Sequence, residues 1–131
     1  MKARSEGERP PATILVVDDD PAICRLFQKV LREEGYQVVT ASGGRQALAL
    51  AAQEHPGLIL LDIMMPGLDG VATLKALRSQ GHQEPVVMLT GQGTLQTARE
   101  AMLLGAYDYI TKPFDVELIK GVLREGLECA R

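Results

Sequence analysis

The chain has 131 residues, of which 46% are hydrophobic and 24% are charged, and its formal net charge is −3. Length and composition are those of one globular domain, too short for two, and the lack of a Lys/Arg cluster argues against direct nucleic-acid binding. No apolar run approaches the roughly 20 residues that span a bilayer, and the polar N-terminus lacks a signal-peptide core, so we expect a cytoplasmic protein without a membrane segment.

The first 12 residues are predicted to be a disordered leader before a domain over residues 13–131, because they are polar, aperiodic and contain two prolines. Thr13 to Val17 (TILVV) then predicts a buried strand that opens onto three consecutive aspartates. From Ala22 to Glu34 apolar residues recur at helical spacing, and Gly35 is placed to end that helix. One strand and one helix therefore open the domain.

The same alternation of strand and helix repeats four more times along the chain. Further strands are predicted at Gln37–Ala41, Leu58–Asp62, Pro85–Thr90 and Tyr107–Thr111, and further helices over Gly43–Glu54, from Asp69 to near Gly81, from Thr94 to Gly105 and from Asp115 onward. In the helix that Thr94 opens, Leu95, Ala98 and Met102 are predicted to face inward. Right-handed crossovers make these units a doubly wound α/β fold, a five-stranded parallel sheet with the strand order 2-1-3-4-5.

Asp62 ends the most apolar of these strands, whose sequence LILLD shows no polar alternation. Such a strand is central and buried on both faces, and ligand-binding groups collect at the carboxyl ends of strands in open α/β sheets. With the first and third strands adjacent, Asp18, Asp19 and Asp62 are expected to converge. Carboxylates so close together raise each other's pKa unless a cation lies between them, and a ligand set made only of oxygens is typical of Mg²⁺. His55 and His82 are expected to be solvated surface residues away from this edge, which argues against zinc.

Thr90 and Lys112 end the fourth and fifth strands and bring a hydroxyl and an ammonium to the same edge. Together with Mg²⁺ they would hold a group that carries several negative oxygens, as phosphoryl transfer requires. Asp62 is the expected nucleophile, because a carboxylate can accept a phosphoryl group as an acyl phosphate while Asp18 and Asp19 act as a ligand pair.

Each of these residues also has an ordinary structural explanation, as a helix cap, a strand end or a turn. The enzyme alternative is a haloacid-dehalogenase-like phosphatase with Asp18 as its nucleophile. However, Pro21 follows the acidic triplet, no cap insertion is present, and Asp62 would have no role. A flavodoxin-like cofactor binder needs a phosphate-cradling loop after the first strand, where three acids would repel phosphate. The last alternative is a docking module whose site is intact and idle.

The segments VVDDD, LLDIMMPGLDG, MLTGQG and DYITKPFD occur in an order and spacing that resembles the receiver domain of two-component response regulators. The resemblance covers nearly all of the chain after the leader and implies the CheY-like, flavodoxin-like (βα)5 fold. It implies that Asp62 is the phosphoacceptor, that Asp18 and Asp19 bind Mg²⁺, and that Thr90 and Lys112 contact the phosphate.

The resemblance implies further roles at the same site. The backbone carbonyl of Met64 would complete the protein's share of the Mg²⁺ ligands, and the Lys112–Pro113 peptide is expected to be cis. Phosphorylation would draw the Thr90 hydroxyl toward the phosphate and let Tyr109 turn inward as a switch. A tyrosine half-packed on an edge strand explains the same residue. Met64 and Gln92 lie where side chains help or hinder the hydrolysing water, and Met64 offers no strong hydrogen-bond group, which predicts slow self-dephosphorylation.

The partners that the resemblance implies are a sensor histidine kinase or a phosphotransfer protein. The output face would be the fourth helix, fifth strand and fifth helix, which is also an expected homodimer surface. The resemblance implies a phosphoacceptor signalling domain rather than an enzyme, with only self-directed phosphoryl transfer and self-dephosphorylation. The stretch AMLLGAYDYITKPFD is more weakly similar to receivers joined to enhancer-binding transcription activators. No output domain is found in the chain, so we expect either a fragment or a stand-alone regulator.

Overall fold

The computed structural model describes residues 11–65, 67–91 and 95–129, on which five strands alternate with five helices. The strands are β1 (Thr13–Val17), β2 (Gln37–Ala41), β3 (Leu58–Asp62), β4 (Val86–Thr90) and β5 (Asp108–Thr111). The helices are α1 (Pro21–Glu33), α2 (Gly44–Glu54), α3 (Gly70–Ser79), α4 (Leu95–Leu103) and α5 (Val116–Cys129). Every predicted element is therefore present, whereas most of the predicted leader lies outside the described residues.

The five strands form one parallel sheet in the order β2-β1-β3-β4-β5, which confirms the predicted doubly wound fold. β3 is the central strand, and all of its residues are buried because helices cover both faces of the sheet. This burial explains why the stretch from Leu58 to Leu61 lacks polar alternation. Asp62 consequently stands at the carboxyl end of the central strand.

The side chains of the strands alternate between two cores, one on each face of the sheet. The first core lies under α2, α3 and α4 and contains Leu15, Val17, Ile59, Leu61, Val86, Met88, Ala47, Ala51, Leu74, Leu77, Ala98 and Ala101. The second core lies under α1 and α5 and contains Ile14, Val16, Leu58, Leu60, Val87, Leu89, Ile110, Phe27, Leu31, Ile119 and Leu123. Burying one such leucine or phenylalanine stabilises the fold by about 1.5–3 kcal/mol, so these contacts hold the helices on the sheet. Within the described residues, none of the helices has the length and apolar character needed to cross a membrane.

Polar caps set the starts of α1 and α3 at the carboxyl edge of the sheet, and a positive-φ glycine follows the other end of α1. Asp20 caps α1 by accepting a first-turn backbone N–H at 2.9 Å, and Asp69 caps α3 in the same way at 2.8 Å. Gly35 follows α1 with a φ of 94°, a conformation that glycine adopts without steric cost. The Thr94 cap that the sequence predicts for α4 lies outside the described residues.

Two predictions about single side chains are wrong. Met102 does not face inward, and 39% of its surface is exposed. The reason is that α4 rests on the sheet through Ala98 and Ala101, and Met102 lies at the edge of this narrow stripe. His82 is not a solvated surface residue, since its side chain is only 16% exposed and its Nδ1 lies 3.2 Å from Glu84 Oε1.

Candidate functional site

Strand alternation brings three polar side chains to one side of the sheet at its carboxyl edge. Asp18, Asp62 and Lys112 each lie two residues after a side chain of the second core. Residues two apart along a strand point to the same face, so all three side chains lie on the α1 and α5 side. β1 and β3 are neighbours, whereas β4 separates β3 from β5. The long lysine side chain therefore reaches across the end of β4.

Asp18, Asp19 and Asp62 form an acidic cluster in which one carboxylate oxygen from each lies within 4.8 Å of the others. Asp18 and Asp62 are buried, with 1% and 3% of their surface exposed, whereas Asp19 is exposed. Asp18 is held at two points, because its Oδ1 accepts the Asp20 backbone N–H at 2.9 Å and its carbonyl accepts the Cys24 thiol at 3.4 Å. The three carboxylates therefore converge as the sheet topology requires.

Lys112 brings a positive charge to the acidic cluster. Its Nζ lies 3.4 Å from Asp62 Oδ1 and 3.5 Å from Asp18 Oδ2, and its side chain is 32% exposed. The Lys112 backbone N–H donates to the Thr90 carbonyl at 2.7 Å, which ties the loop after β5 to the end of β4. The Lys112–Pro113 peptide bond is cis, as expected. One ammonium beside three carboxylates leaves the cluster negatively charged.

Burial raises the pKa of the Asp62 carboxyl above its ordinary value, and the Asp18 carboxylate raises it further. The Lys112 ammonium lowers this pKa in part, as does the Met64 backbone N–H, which donates to Asp62 Oδ1 at 3.2 Å. The net direction is upward. The ionised form of Asp62 is therefore less favourable in this site than in water, unless a further cation is added.

The donor set of the acidic cluster fits a hard divalent cation such as Mg²⁺. All of its candidate ligand atoms are carboxylate oxygens, and a cation between them would offset the burial and the Asp18 repulsion that together raise the pKa of Asp62. Among residues 11–65, 67–91 and 95–129, no other group of three His, Cys, Asp or Glu side chains comes close enough together to hold a metal ion. The cluster is therefore the metal candidate of the described chain.

Thr90 and Tyr109 belong to the other face of the sheet, next to α4. Thr90 lies two residues after Met88 of the first core, and Met88 is paired in register with Tyr109. Tyr109 is partly buried against this core. Thr90 is buried, and its hydroxyl donates to the Gly91 carbonyl at 3.0 Å. A hydroxyl at the edge of the acidic site and an aromatic ring on the outer strand therefore share one face.

Two neighbours of the cluster were not assigned from the sequence. Burial raises the pKa of the Cys24 thiol, and the Asp18 carboxylate adds to this, so the thiol stays protonated and donates to the Asp18 carbonyl. Gly70 packs against the Asp62 carbonyl without a Cβ between them. Neither contact has a sequence signal, because both depend on how α1 and α3 dock on the sheet.

The remaining residues that the sequence predicts for the site either lie next to the acidic cluster or fall outside the described residues. The Met64 side chain is exposed beside Asp62, and Gln92 lies outside the described residues. The arrangement is unfavourable for a phosphatase with Asp18 as nucleophile, because the Asp20 backbone N–H already occupies Asp18 Oδ1 and Asp62 would stand in the cluster without a function. A cofactor phosphate after β1 would meet the same carboxylates.

Comparisons with known proteins agree with this geometry. A family model for the response regulator receiver domain matches residues 14–124. The alkaline phosphatase synthesis transcriptional regulatory protein PhoP of Bacillus subtilis (strain 168) is 44% identical over 117 residues, 86% of this chain and 49% of that protein. Regulatory protein AtoC of Escherichia coli (strain K12) is 37% identical over 115 residues, 88% of this chain and 25% of that protein. The crystal structure of the receiver domain of NtrX from Brucella abortus is 41% identical, with a TM-score of 0.83 over 88% of this chain and 98% of that chain.

The chain thus spans 25% of the length of AtoC and 49% of the length of PhoP, so the similarity concerns one part of each relative. This chain covers 98% of the NtrX receiver structure and shares its fold, since the TM-score is 0.83. The family match also covers β2 to β5 in full, β1 except for Thr13, and all of the polar residues at the carboxyl edge of the sheet. This chain therefore belongs to the receiver domains of two-component response regulators.

Proposed function

We propose that Asp62 accepts a phosphoryl group from a phosphorylated histidine of a sensor kinase or phosphotransfer protein, in a reaction that depends on Mg²⁺. The observation that carries this proposal is the contact of the Lys112 ammonium with two of three clustered carboxylates at the end of the central strand. Such a site offers a nucleophilic oxygen beside fixed positive charge. Phosphoryl transfer depends mainly on this kind of positioning and charge stabilisation.

The carboxylates of Asp18, Asp19 and Asp62 would hold Mg²⁺, together with the backbone carbonyl of Met64. Bound there, the cation supplies the positive charge that lets an anionic phosphoryl group approach an anionic nucleophile. Asp18 is suited to a fixed ligand position because it is buried and held by a backbone N–H. Asp19 is exposed and lies on the solvent side of the cluster.

In the transfer, a carboxylate oxygen of Asp62 forms a bond to phosphorus while the bond from phosphorus to the donor's imidazole nitrogen breaks. The electron pair of that bond remains on the imidazole, and Asp62 becomes an acyl phosphate. The Lys112 ammonium then pairs with phosphoryl oxygens instead of the free Asp62 carboxylate. Gly91 leaves room for the donor, since a Cβ there would meet no atom of the described residues within 4 Å. Attack of water on phosphorus later releases phosphate and restores the carboxylate.

The switch would consist of a change of partner for the Thr90 hydroxyl. In the unphosphorylated chain this hydroxyl donates to the Gly91 carbonyl at 3.0 Å. A phosphoryl oxygen on Asp62 is a stronger, charged acceptor, so the hydroxyl would move toward it. Tyr109 lies on the same face and would turn into the space that Thr90 leaves. A local charge change thereby alters the surface of α4 and β5.

The surface formed by α4, β5 and α5 is the proposed output and homodimer face. It carries exposed apolar side chains, of which Leu103 exposes 88% of its surface and Leu118 exposes 55%. A second copy of the chain or an output domain could bury these exposed apolar side chains. Phosphorylation should therefore increase the sedimentation coefficient, and Leu103→Ser should block this increase without reducing phosphate uptake. In the whole protein we propose an output in transcription, because the relative PhoP is named a transcriptional regulatory protein.

The proposal is tested by incubating the chain with acetyl phosphate and Mg²⁺, then reducing with borohydride and mapping the modified residue. We expect label on Asp62 and none in Asp62→Asn or in EDTA. Asp20→Asn is the matched control, because Asp20 stands in the same acidic triplet, lies outside the cluster, and asparagine caps a helix as well as aspartate. Label on Asp18 would instead support the phosphatase alternative, and no label on the wild-type chain would support an idle docking module.

A further inference from the structure

Gly70, the first residue of α3, lets that helix lie directly on the backbone of Asp62. A Cβ on Gly70 would collide with the Asp62 carbonyl oxygen, and it would lie 2.6 Å from Ile63 Cα and 3.0 Å from the Asp62 carbonyl carbon. The Gly70 N–H also donates to the Ile63 carbonyl at 2.9 Å. The first turn of α3 and the residue proposed to carry phosphate are therefore in contact through backbone atoms, with no flexible side chain between them.

Gly44, the first residue of α2, makes a second close approach, to the loop and first turn that include Gly70. A Cβ on Gly44 would collide with the Thr73 hydroxyl oxygen and would lie 2.9 Å from the Leu68 carbonyl oxygen. Thr73 is fully buried, and its hydroxyl donates to the Asp69 carbonyl at 2.7 Å. The atoms that face Gly44 are thus a short, hydrogen-bonded side chain and a backbone carbonyl, and neither can give way without moving α3.

We propose that Gly44 is a positioning residue for phosphoryl transfer, which acts through the first turn of α3 and Gly70 on the backbone of Asp62. The inference rests on the proposed role of Asp62 as phosphoacceptor. A side chain at position 44 must displace Thr73 and Leu68, and the displacement reaches Asp62 because Gly70 has no free space against the Asp62 carbonyl.

The acidic cluster is sensitive to such a displacement. One Asp62 oxygen lies 3.4 Å from the Lys112 Nζ, and the cluster holds its three carboxylates within 4.8 Å of one another. Misplacing a reacting group by about 1 Å can slow a reaction on the order of a hundredfold. Gly44 itself touches neither the carboxylates nor the lysine. Its effect on the reaction is therefore expected to be on the rate after the donor has bound rather than on donor binding.

The test compares Gly44→Ala with Gly43→Ala. Gly43 precedes α2 in extended backbone, with a φ of −170° that any residue adopts, and a Cβ there meets no atom of residues 11–65, 67–91 and 95–129 within 4 Å. Both variants change the same helix end, but only Gly44→Ala presses on α3. Phosphorylation is followed over a range of acetyl phosphate concentrations at saturating Mg²⁺, at a temperature where circular dichroism shows each variant fully folded. These conditions remove any contribution from a loss of stability.

We expect the maximal rate of Gly44→Ala to fall about ten- to a hundredfold, and that of Gly43→Ala to stay at the wild-type value. Adding Thr73→Ala to Gly44→Ala removes the hydroxyl oxygen that the new Cβ would strike, so it should restore part of the rate. A second readout is the amide signal of Met64 in nuclear magnetic resonance, because this N–H donates to Asp62 Oδ1. The signal should shift in Gly44→Ala and not in Gly43→Ala.

A wild-type maximal rate in Gly44→Ala, or equal slowing in Gly43→Ala, would overturn the positioning role. If Gly44→Ala does not fold, Gly44→Ala/Thr73→Ala is compared with Thr73→Ala, and equal rates overturn the role because the Leu68 carbonyl contact remains. If the wild-type chain takes up no phosphate, the proposed function fails, and the Met64 amide signal alone decides whether Gly44 positions Asp62.

Discussion

Replacing Asp62 by asparagine should stabilise the metal-free protein, although it removes the proposed phosphoacceptor. The Asp62 carboxylate lies within 4.8 Å of two other carboxylates, and each repulsion costs about 3.5 kcal/mol at an effective dielectric constant of about 20. The attraction to the Lys112 Nζ at 3.4 Å offsets about 5 kcal/mol. The remaining cost is about 2 kcal/mol, and solvent screening at the exposed Asp19 reduces it to about 1 kcal/mol.

The effect should depend on pH in a defined direction. Burial and the Asp18 carboxylate raise the pKa of Asp62, so the folded chain binds this proton more tightly than the unfolded chain. The charge penalty is complete above the raised pKa and disappears as the pH falls through it. The gain in the free energy of unfolding of Asp62→Asn should therefore be present at neutral pH and shrink in acid.

Mg²⁺ should reverse the order of stability. A cation that binds only the folded wild-type chain stabilises it by about 2.7 kcal/mol at a hundred times its Kd. Asp62→Asn lacks one of the proposed ligands, so Mg²⁺ should stabilise this variant less than it stabilises the wild type. The comparison between EDTA and Mg²⁺ thus separates the charge penalty of Asp62 from its contribution to metal binding.

The assay is thermal and urea unfolding followed by circular dichroism, in EDTA and in Mg²⁺. For a chain of this length, 1 kcal/mol corresponds to a change in Tm of about 3–5 °C. Asp20→Asn should change the free energy of unfolding by less than about 0.5 kcal/mol, because its cap is retained. An Asp62→Asn protein that is less stable than the wild type in EDTA at neutral pH would refute the reasoning, since Lys112 would then outweigh the two acids.

Three further variants test other parts of the molecule. Lys112→Ala should retain some phosphate uptake on Asp62 but weaken the phosphorylation-dependent change in sedimentation, because the ammonium contact to the phosphate is lost. Met64→Asn should shorten the lifetime of the acyl phosphate, since an amide can orient the attacking water, and phosphate loss no faster than in the wild type would contradict this. Arg78→Met should lower the free energy of unfolding by about 2–3 kcal/mol without changing phosphate uptake, because its guanidinium donates to three loop carbonyls at 2.9 to 3.0 Å. An unchanged urea midpoint would count against that contribution.

The strand residues show how far a local pattern can predict the site. The apolar run before Asp62 indicates a central strand because only burial on both faces tolerates such a sequence. The pattern does not say on which face of the sheet each polar residue lies. In the structure Asp18, Asp62 and Lys112 follow side chains of the second core, and Thr90 follows one of the first core. Helical periodicity is less exact at the edges of an apolar stripe, and for this reason the inward orientation that it predicts for Met102 is wrong.

Residue patterns along the chain are enough to predict the order of the elements, the doubly wound sheet and the set of polar residues at its carboxyl edge. These features depend on residues that are close in the chain and repeat with the period of a strand or a helix. The folded chain is needed to see that the Lys112 ammonium contacts both Asp18 and Asp62 and that burial raises the pKa of Asp62. It is also needed to see that Gly44 and Gly70 allow close contacts from α2 to α3 and from α3 to the Asp62 backbone. The physical reason is that these contacts join atoms of separate elements, and shifts of a few tenths of an ångström between the elements would change them. The position of each helix on the sheet depends on the packing of the whole core and not on the local periodicity of the sequence.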